Sequence, residues 1–223
     1  MSVVGLRNIT KEFGAVKALD GATMVVRPGE VVALIGDNAA GKSTLMKVLS
    51  GAYTKDGGKI FVDGKEVDIR NTQDARRLGI EMVYQDFALA NNLDVAANIF
   101  MGRELTKCGF LCKKKMRMEA EVLIKRLGVN IPDATQIVES MSGGQRQAVA
   151  VARAMAFDTK LVIMDEPTAS LSPEASQHIL DLVLQLKEHG ISVVYITHKI
   201  GELDRVADRV VRMRHGKVVD ADA

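Results

Sequence analysis

The stretch Val31-Val32-Ala33-Leu34-Ile35-Gly36-Asp37-Asn38-Ala39-Ala40-Gly41-Lys42-Ser43-Thr44 decides how the rest of the chain is read. Its first five residues form an unbroken apolar run, as a strand buried on both faces requires. Gly36–Ser43 then fits G-x-x-x-x-G-K-[ST], and from Gly41 the pattern turns helical and closes at Gly51. Glycines let backbone N–H groups turn inward around phosphate oxygens, and a helix N-terminus adds positive potential there. In such a loop Lys42 reaches the β- and γ-phosphates of a nucleotide, and the Ser43 hydroxyl binds Mg2+. A glycine-rich turn without a ligand shares the local signs, but the strand-then-helix context favours phosphate.

Outward from this loop the pattern is α/β. Residues 1–35 alternate and break like β structure, with a turn at Arg27-Pro28-Gly29-Glu30 and a hairpin signal at Asp63-Gly64. Met116, Ala120, Leu123, Ile124 and Leu127 recur at helical spacing, so Lys113–Leu127 is expected to be an amphipathic helix. The Lys113-Lys114-Lys115 run that opens it reads as a solvated face. After Ser142 comes another helix, then strand Leu161–Met164, helix Pro173–Glu188 and strand Ile191–Ile196. Strand–helix–strand alternation implies a parallel sheet covered by helices. The expected organisation is a core at about 1–85 and 157–223, with a helical subdomain at about 86–156.

Composition bounds the function. Thirty basic against 28 acidic residues give a formal charge of +2, without the strongly basic balance of a nucleic-acid binder. The longest apolar runs are too short to span a bilayer, and no signal peptide is expected before the first strand. Cys108 and Cys112, four apart with no second pair, do not supply a zinc site and read as reduced thiols.

Two further motifs carry chemistry. Leu161-Val162-Ile163-Met164-Asp165-Glu166 is a buried-type strand ending in two carboxylates, and strand C-terminal ends face the ligand in a parallel nucleotide-binding sheet. There Asp165 can hold Mg2+ through water, while Glu166 can polarise an attacking water. In Met141-Ser142-Gly143-Gly144-Gln145-Arg146-Gln147, Ser142 and Gln145 form a capping box, which is a complete structural explanation. Two glycines in a first helical turn are nonetheless costly, and their bare amides would approach a phosphate closely. Capping and phosphate binding both stay open on these residues alone.

In order and spacing these motifs resemble an ABC transporter ATPase across nearly the whole chain. Gly36–Ser43 resembles that family's Walker A loop, Leu161–Glu166 its Walker B strand and Met141–Gln145 its signature. Gln85 resembles the Q-loop glutamine, His198 the switch histidine, and Phe13 the aromatic that stacks on adenine. The resemblance implies a P-loop core with a parallel sheet, an antiparallel β subdomain and an inserted helical subdomain. It implies ATP hydrolysis with Mg2+ held by Ser43, Asp165 and Gln85, and catalysis by Glu166, His198 and Gln85. Nucleotide contacts fall to Phe13, Gly36, Asp37, Asn38, Ala39, Ala40, Gly41, Lys42, Ser43 and Thr44. It also implies a head-to-tail homodimer in which Ser142, Gly143, Gly144 and Gln145 serve the partner's ATP.

Lys17-Ala18-Leu19-Asp20-Gly21, Gln85-Asp86 and Met141–Ala150 look most like carbohydrate importers of the ribose/fructose type. That group implies a peripheral subunit on the cytoplasmic face of a membrane, bound to permease subunits and indirectly served by an extracytoplasmic sugar-binding protein. Asp86–Asn98 resembles the permease-docking region. The chain departs from the family pattern at Met141 (usually Leu), Ala39 (often Gly) and Ser172 (usually the Asp of the D-loop). Two alternatives stand beside this reading. A non-transport ABC ATPase usually carries coiled-coil insertions or a basic tail, and a P-loop small-molecule kinase would lack the Ser142–Gln145 motif.

Overall fold

Alternating strands open the chain, and two kinds of sheet follow from two kinds of burial. The computed structural model describes residues 3–83, 89–126, 128, 131–169 and 171–221. Strands β1 (Val4–Phe13), β2 (Val16–Val26), β4 (Gly57–Val62) and β5 (Lys65–Val67) form an antiparallel sheet in the order β2-β1-β4-β5. These strands mix buried and exposed residues, and the alternation is clearest at the end of β2, where Ala22, Met24 and Val26 are buried and Thr23 and Val25 exposed. The β4–β5 turn falls at Asp63-Gly64.

The second sheet is built from β3 (Val31–Ile35), β6 (Ile80–Val83), β9 (Leu161–Asp165), β10 (Ser192–Ile196), β11 (Arg209–Arg214) and β12 (Lys217–Ala221). Its order is β12-β11-β3-β10-β9-β6. Strands β11, β3, β10 and β9 run parallel, and β12 is an antiparallel edge. Every residue of β10, and all but the last of β3 and β9, is buried, so these central strands carry no polar alternation. Ile196 of β10 is opposite Leu34 on one side and Asp165 on the other. That register brings the C-terminal ends of three strands level.

The chain divides into two compact units. The first holds both sheets, with residues 1–82, 159–166 and 183–223; the second holds 83–158 and 167–182. Residues 167–182 cluster with the second unit. The boundary falls inside helix α6 (Pro173–Glu188), which buries Ile179, Leu182, Val183 and Leu186. Helices α1 (Lys42–Leu49), α2 (Thr72–Arg77) and α7 (Ile200–Val206) belong to the first unit.

In the second unit α3 (Val95–Ile99) packs on α4 (Lys113–Arg126) and α5 (Gly143–Met155), through Val95, Ile99, Phe100, Met116, Ala120, Ile124, Val149 and Ala152. A small hairpin, β7 (Thr106–Lys107) and β8 (Phe110–Leu111), precedes α4. Among the described residues no helix is long and apolar enough to cross a membrane.

Candidate active site

Strand β3 delivers the chain into the loop 36–41, and α1 leaves it. Gly36 and Gly41 take φ of 148° and 101°, which residues with a Cβ rarely adopt. A Cβ at Gly36 would stand 2.3 Å from the Met213 carbonyl oxygen, and one at Gly41 would stand 2.7 Å from that of Ala18. The backbone is therefore held tightly against β11 on one side and β2 of the other sheet on the other. Gly36, Asp37, Asn38, Ala39, Ala40 and Gly41 make the loop; Lys42, Ser43 and Thr44 make the first turn of α1. Among the described residues, no protein acceptor takes the amides of Gly41, Lys42 or Ser43. Three unpartnered N–H groups at a helix N-terminus fit an anion.

Lys42 is 6% exposed, and its Nζ donates to the carbonyls of Gly36 (2.7 Å) and Asp37 (3.0 Å). That leaves one of its three N–H donors for a ligand. Burial pushes its ammonium below the usual lysine range, against the opposing pull of Glu166, Asp165 and Asp37.

At the end of β9 the two carboxylates part. Burial pushes Asp165 above the usual aspartate range, while the Ser43 hydroxyl donates to it and Lys47 and Lys42 draw it down. Ser43 and Asp165 thus offer adjacent oxygens beside the loop, the donor chemistry that Mg2+ takes. Glu166 adopts φ of 50°, and its amide donates to the Ile196 carbonyl at 2.9 Å. Its Oε1 lies 2.7 Å from Nε2 of His198, two residues beyond β10. A cleft of about 470 Å3 beside the loop is lined by Gly36, Asp37, Thr197, His198, Arg212 and Arg214.

Phe13 ends β1 and is 43% exposed, with Lys11 Nζ over its ring at 5.4 Å from the centroid. Its other neighbour is Tyr53, edge-on at 5.2 Å between centroids. Asp56 holds the same strand end, accepting from Lys11 Nζ (2.7 Å) and the Glu12 amide (2.6 Å). Tyr53, Asp56 and Lys47 belong to no spaced motif, and sequence reasoning passed over them. The one signal is an aromatic just past a helix end.

In the second unit, both arms of the capping box form: Gln145 N donates to Ser142 Oγ (3.3 Å), and Ser142 N to Gln145 Oε1 (3.0 Å). Gly143 and Gly144 fall in the first turn of α5, and a Cβ on Gly143 would press on Leu171 at 3.3 Å. Met141 is buried, so an apolar side chain there serves packing. Ser172 precedes α6 and accepts from the Ala175 amide at 3.3 Å, the capping bond an aspartate would make. Gln85 lies outside the described residues, as does Asp86.

A buried parallel sheet, a phosphate-type loop on its central strand β3 and an acidic end on β9, the next strand but one, define a P-loop nucleotide-binding protein. The ABC transporter family model matches residues 19–169. The chain is 50% identical over 214 residues to the xylose/arabinose import ATP-binding protein of Sulfolobus acidocaldarius, covering 96% of this chain and 85% of that one. It is 44% identical to a ribose import ATP-binding protein of Rubrobacter xylanophilus, covering 97% of this chain but 44% of that one. Among solved structures it resembles a dimeric, post-hydrolysis ATP-binding cassette bound to ADP and Pi, with TM-score 0.82, 25% identity and coverage of 98% and 97%. The chain belongs to the ABC transporter family. As a member it is an ATP-binding, ATP-hydrolysing cassette.

Proposed function

We propose that this cassette powers the import of a sugar through membrane permease subunits, hydrolysing Mg-ATP as a head-to-tail pair. Support for the sugar comes from the import proteins it resembles. In this reading Lys42 and the loop amides bind the β- and γ-phosphates, and Phe13 stacks on the adenine. Ser43 and Asp165, with Gln85, would hold Mg2+, which when bound neutralises phosphate charge. Glu166 takes a proton from the attacking water, and His198 fixes the Glu166 carboxylate and meets the γ-phosphate. Ser142–Gln145 of one chain caps its own helix and presents the amides of that first turn to the partner's ATP.

The catalytic core is assigned to about 1–85 and 157–223 and the helical subdomain to about 86–156. The cassette works peripherally on the cytoplasmic face, docked on the permease through Asp86–Asn98, with an extracytoplasmic binding protein acting indirectly. The observation that carries this function is the buried Lys42 at the end of a loop where, among the described residues, the amides of Gly41, Lys42 and Ser43 have no protein acceptor. Lys42→Ala should weaken ATP binding at least tenfold by calorimetry, since it removes a charge-assisted phosphate contact. Unchanged affinity would overturn the assignment of the loop.

A further inference from the structure

The hairpin Thr106–Leu111 has two residues per strand, with Lys107 opposite Phe110 and a turn through Cys108-Gly109. All six residues are exposed, and at 79% Phe110 is the most exposed large apolar side chain among the described residues. Leu111 beside it is also exposed. So short a hairpin has little stability of its own, and an aromatic this exposed on its return strand adds nothing to a core.

The chain then enters α4 through Lys113, Lys114 and Lys115, all exposed. Cations in a first turn oppose the positive end of the helix dipole, and no acidic residue in that turn offsets them. Lys115 meets Glu119 at 3.7 Å, and Arg117 meets Asp94 at 3.5 Å. Lys107, Lys113 and Lys114 have no ion-pair partner among the described residues. Residues 106–115 hold four lysines and no acid. Further along α4, Met116, Ala120 and Ile124 are buried, while Met118 and Val122 stay exposed on an outward face.

Two local rules are broken within ten residues. The apolar return strand is not buried, and the helix start is cationic. Apart from the Lys115–Glu119 pair, neither departure is compensated among the described residues of the helical unit, and such conflicts gather where a protein meets something else. A surface with an apolar interior and an anionic skin satisfies both. We propose that Phe110 and Leu111 enter the headgroup boundary of an anionic phospholipid bilayer, with Lys107, Lys113, Lys114 and Lys115 on the headgroups. An acidic protein segment would match the lysines equally well. Phe110, 79% exposed, and Leu111, 51% exposed, however, stand together on the return strand as an exposed apolar pair that a fluid surface can close around. The contact is separate from the ATP chemistry and needs no permease.

The chain contains no tryptophan, so Phe110→Trp makes a unique reporter. With the whole chain and bare vesicles containing about one-third phosphatidylglycerol, its emission should shift to the blue and the protein should float with the lipid. Vesicles of phosphatidylcholine alone, or high salt, should abolish both effects. Lys113→Gln combined with Lys114→Gln should lower partitioning about thirty-fold. Phe110→Ser should lower it too, and both variants should keep the parent ATPase rate, which shows that they fold. Equal partitioning into the two kinds of vesicle, or a double lysine variant that binds like the parent, overturns the proposal. So does binding seen only when permease is present in phosphatidylcholine vesicles, which would make the partner a protein. A loss of ATPase activity in Lys42→Ala speaks to the cassette assignment and leaves this test unaffected.

Discussion

Nε2 of His198 stands 2.7 Å from Oε1 of Glu166, and the Glu166 amide is tied to the carbonyl of Ile196, two residues before that histidine. The ends of β9 and β10 thus hold a carboxylate and an imidazole together by backbone register, apart from the Asp165–Ser43 pair next door.

From this pair follows the first prediction. Glu166→Gln keeps the shape but cannot take a proton, so turnover should fall at least about a hundredfold. Bound ATP should then persist, and light scattering should detect a dimer with Mg-ATP but not with ADP. His198→Ala leaves the carboxylate in place without its support, and should lower kcat more than it raises KM. A monomer under saturating ATP would overturn the paired mechanism.

The second concerns the base. Phe13→Ala removes a stacking platform of about 1–3 kcal/mol, so ATP affinity should drop roughly five- to 150-fold. Tyr53→Ala leaves Phe13 present but unbraced and should cost less, about 0.5–1.5 kcal/mol, the scale of an aromatic pair. Calorimetry with ATP against inorganic triphosphate separates the effect from phosphate binding, since triphosphate should not sense either change.

Stability against acid gives the third. Burial alone would raise the Glu30 carboxyl, but hydrogen bonds from Arg209 and the Arg27 amide outweigh it and hold it below its usual 4.5. Arg209 bonds Glu30 Oε1 at 2.7 Å and the Val25 carbonyl at 2.6 Å. Because the folded state binds this proton less readily, the contribution is complete above about pH 4.5 and fades as pH falls through the folded value. Urea midpoints should drop on acidification, and Glu30→Gln should be less stable at pH 7 with a shallower fall below about pH 5. Parallel curves for the two proteins would exclude Glu30 as a cause.

Asn98 supports the fourth. It is fully buried; its Oδ1 takes the Ala90 amide at 2.8 Å, and its Nδ2 reaches the carbonyls of Ala90, Leu93 and Asp94. One side chain therefore fixes residues 90–94, at the proposed docking segment. Asn98→Leu keeps the volume but strands these groups, and should destabilise the fold by about 2–3 kcal/mol in urea. A loss below about 0.5 kcal/mol would mean that water replaces the amide without penalty.

The loop at Gly36–Ser43 and the strand Leu161–Asp165 were legible because backbone geometry and phosphate chemistry demand particular residues at fixed spacing. The same holds for α6 and α4, whose periodicity runs over several turns. Helices α2 and α3, of six and five residues, are too short for a period to show. The β7–β8 hairpin has no alternation to read. Contacts such as Glu30 with Arg209 join residues 179 apart, and no local pattern announces them. Lys113–Lys115 was visible in the sequence as a charged run opening a helix, but the exposure of Phe110 beside it required the structure.

The strand that carries the phosphate loop lies between two strands made much later. β3 pairs with β10, where Val31 is opposite Val193, and with β11, where Leu34 is opposite Val211. During synthesis, at about 5–20 residues per second, both edges of this apolar strand wait roughly 10–30 seconds for those partners. Nothing between Gly36 and Ile191 offers it a ladder in the finished sheet. The central strand is thus the one most exposed to wrong edge pairing on the ribosome. Chains stalled before β10 should be captured by chaperones or aggregate, and those released after β11 should complete the sheet around a loop synthesised first and ordered last.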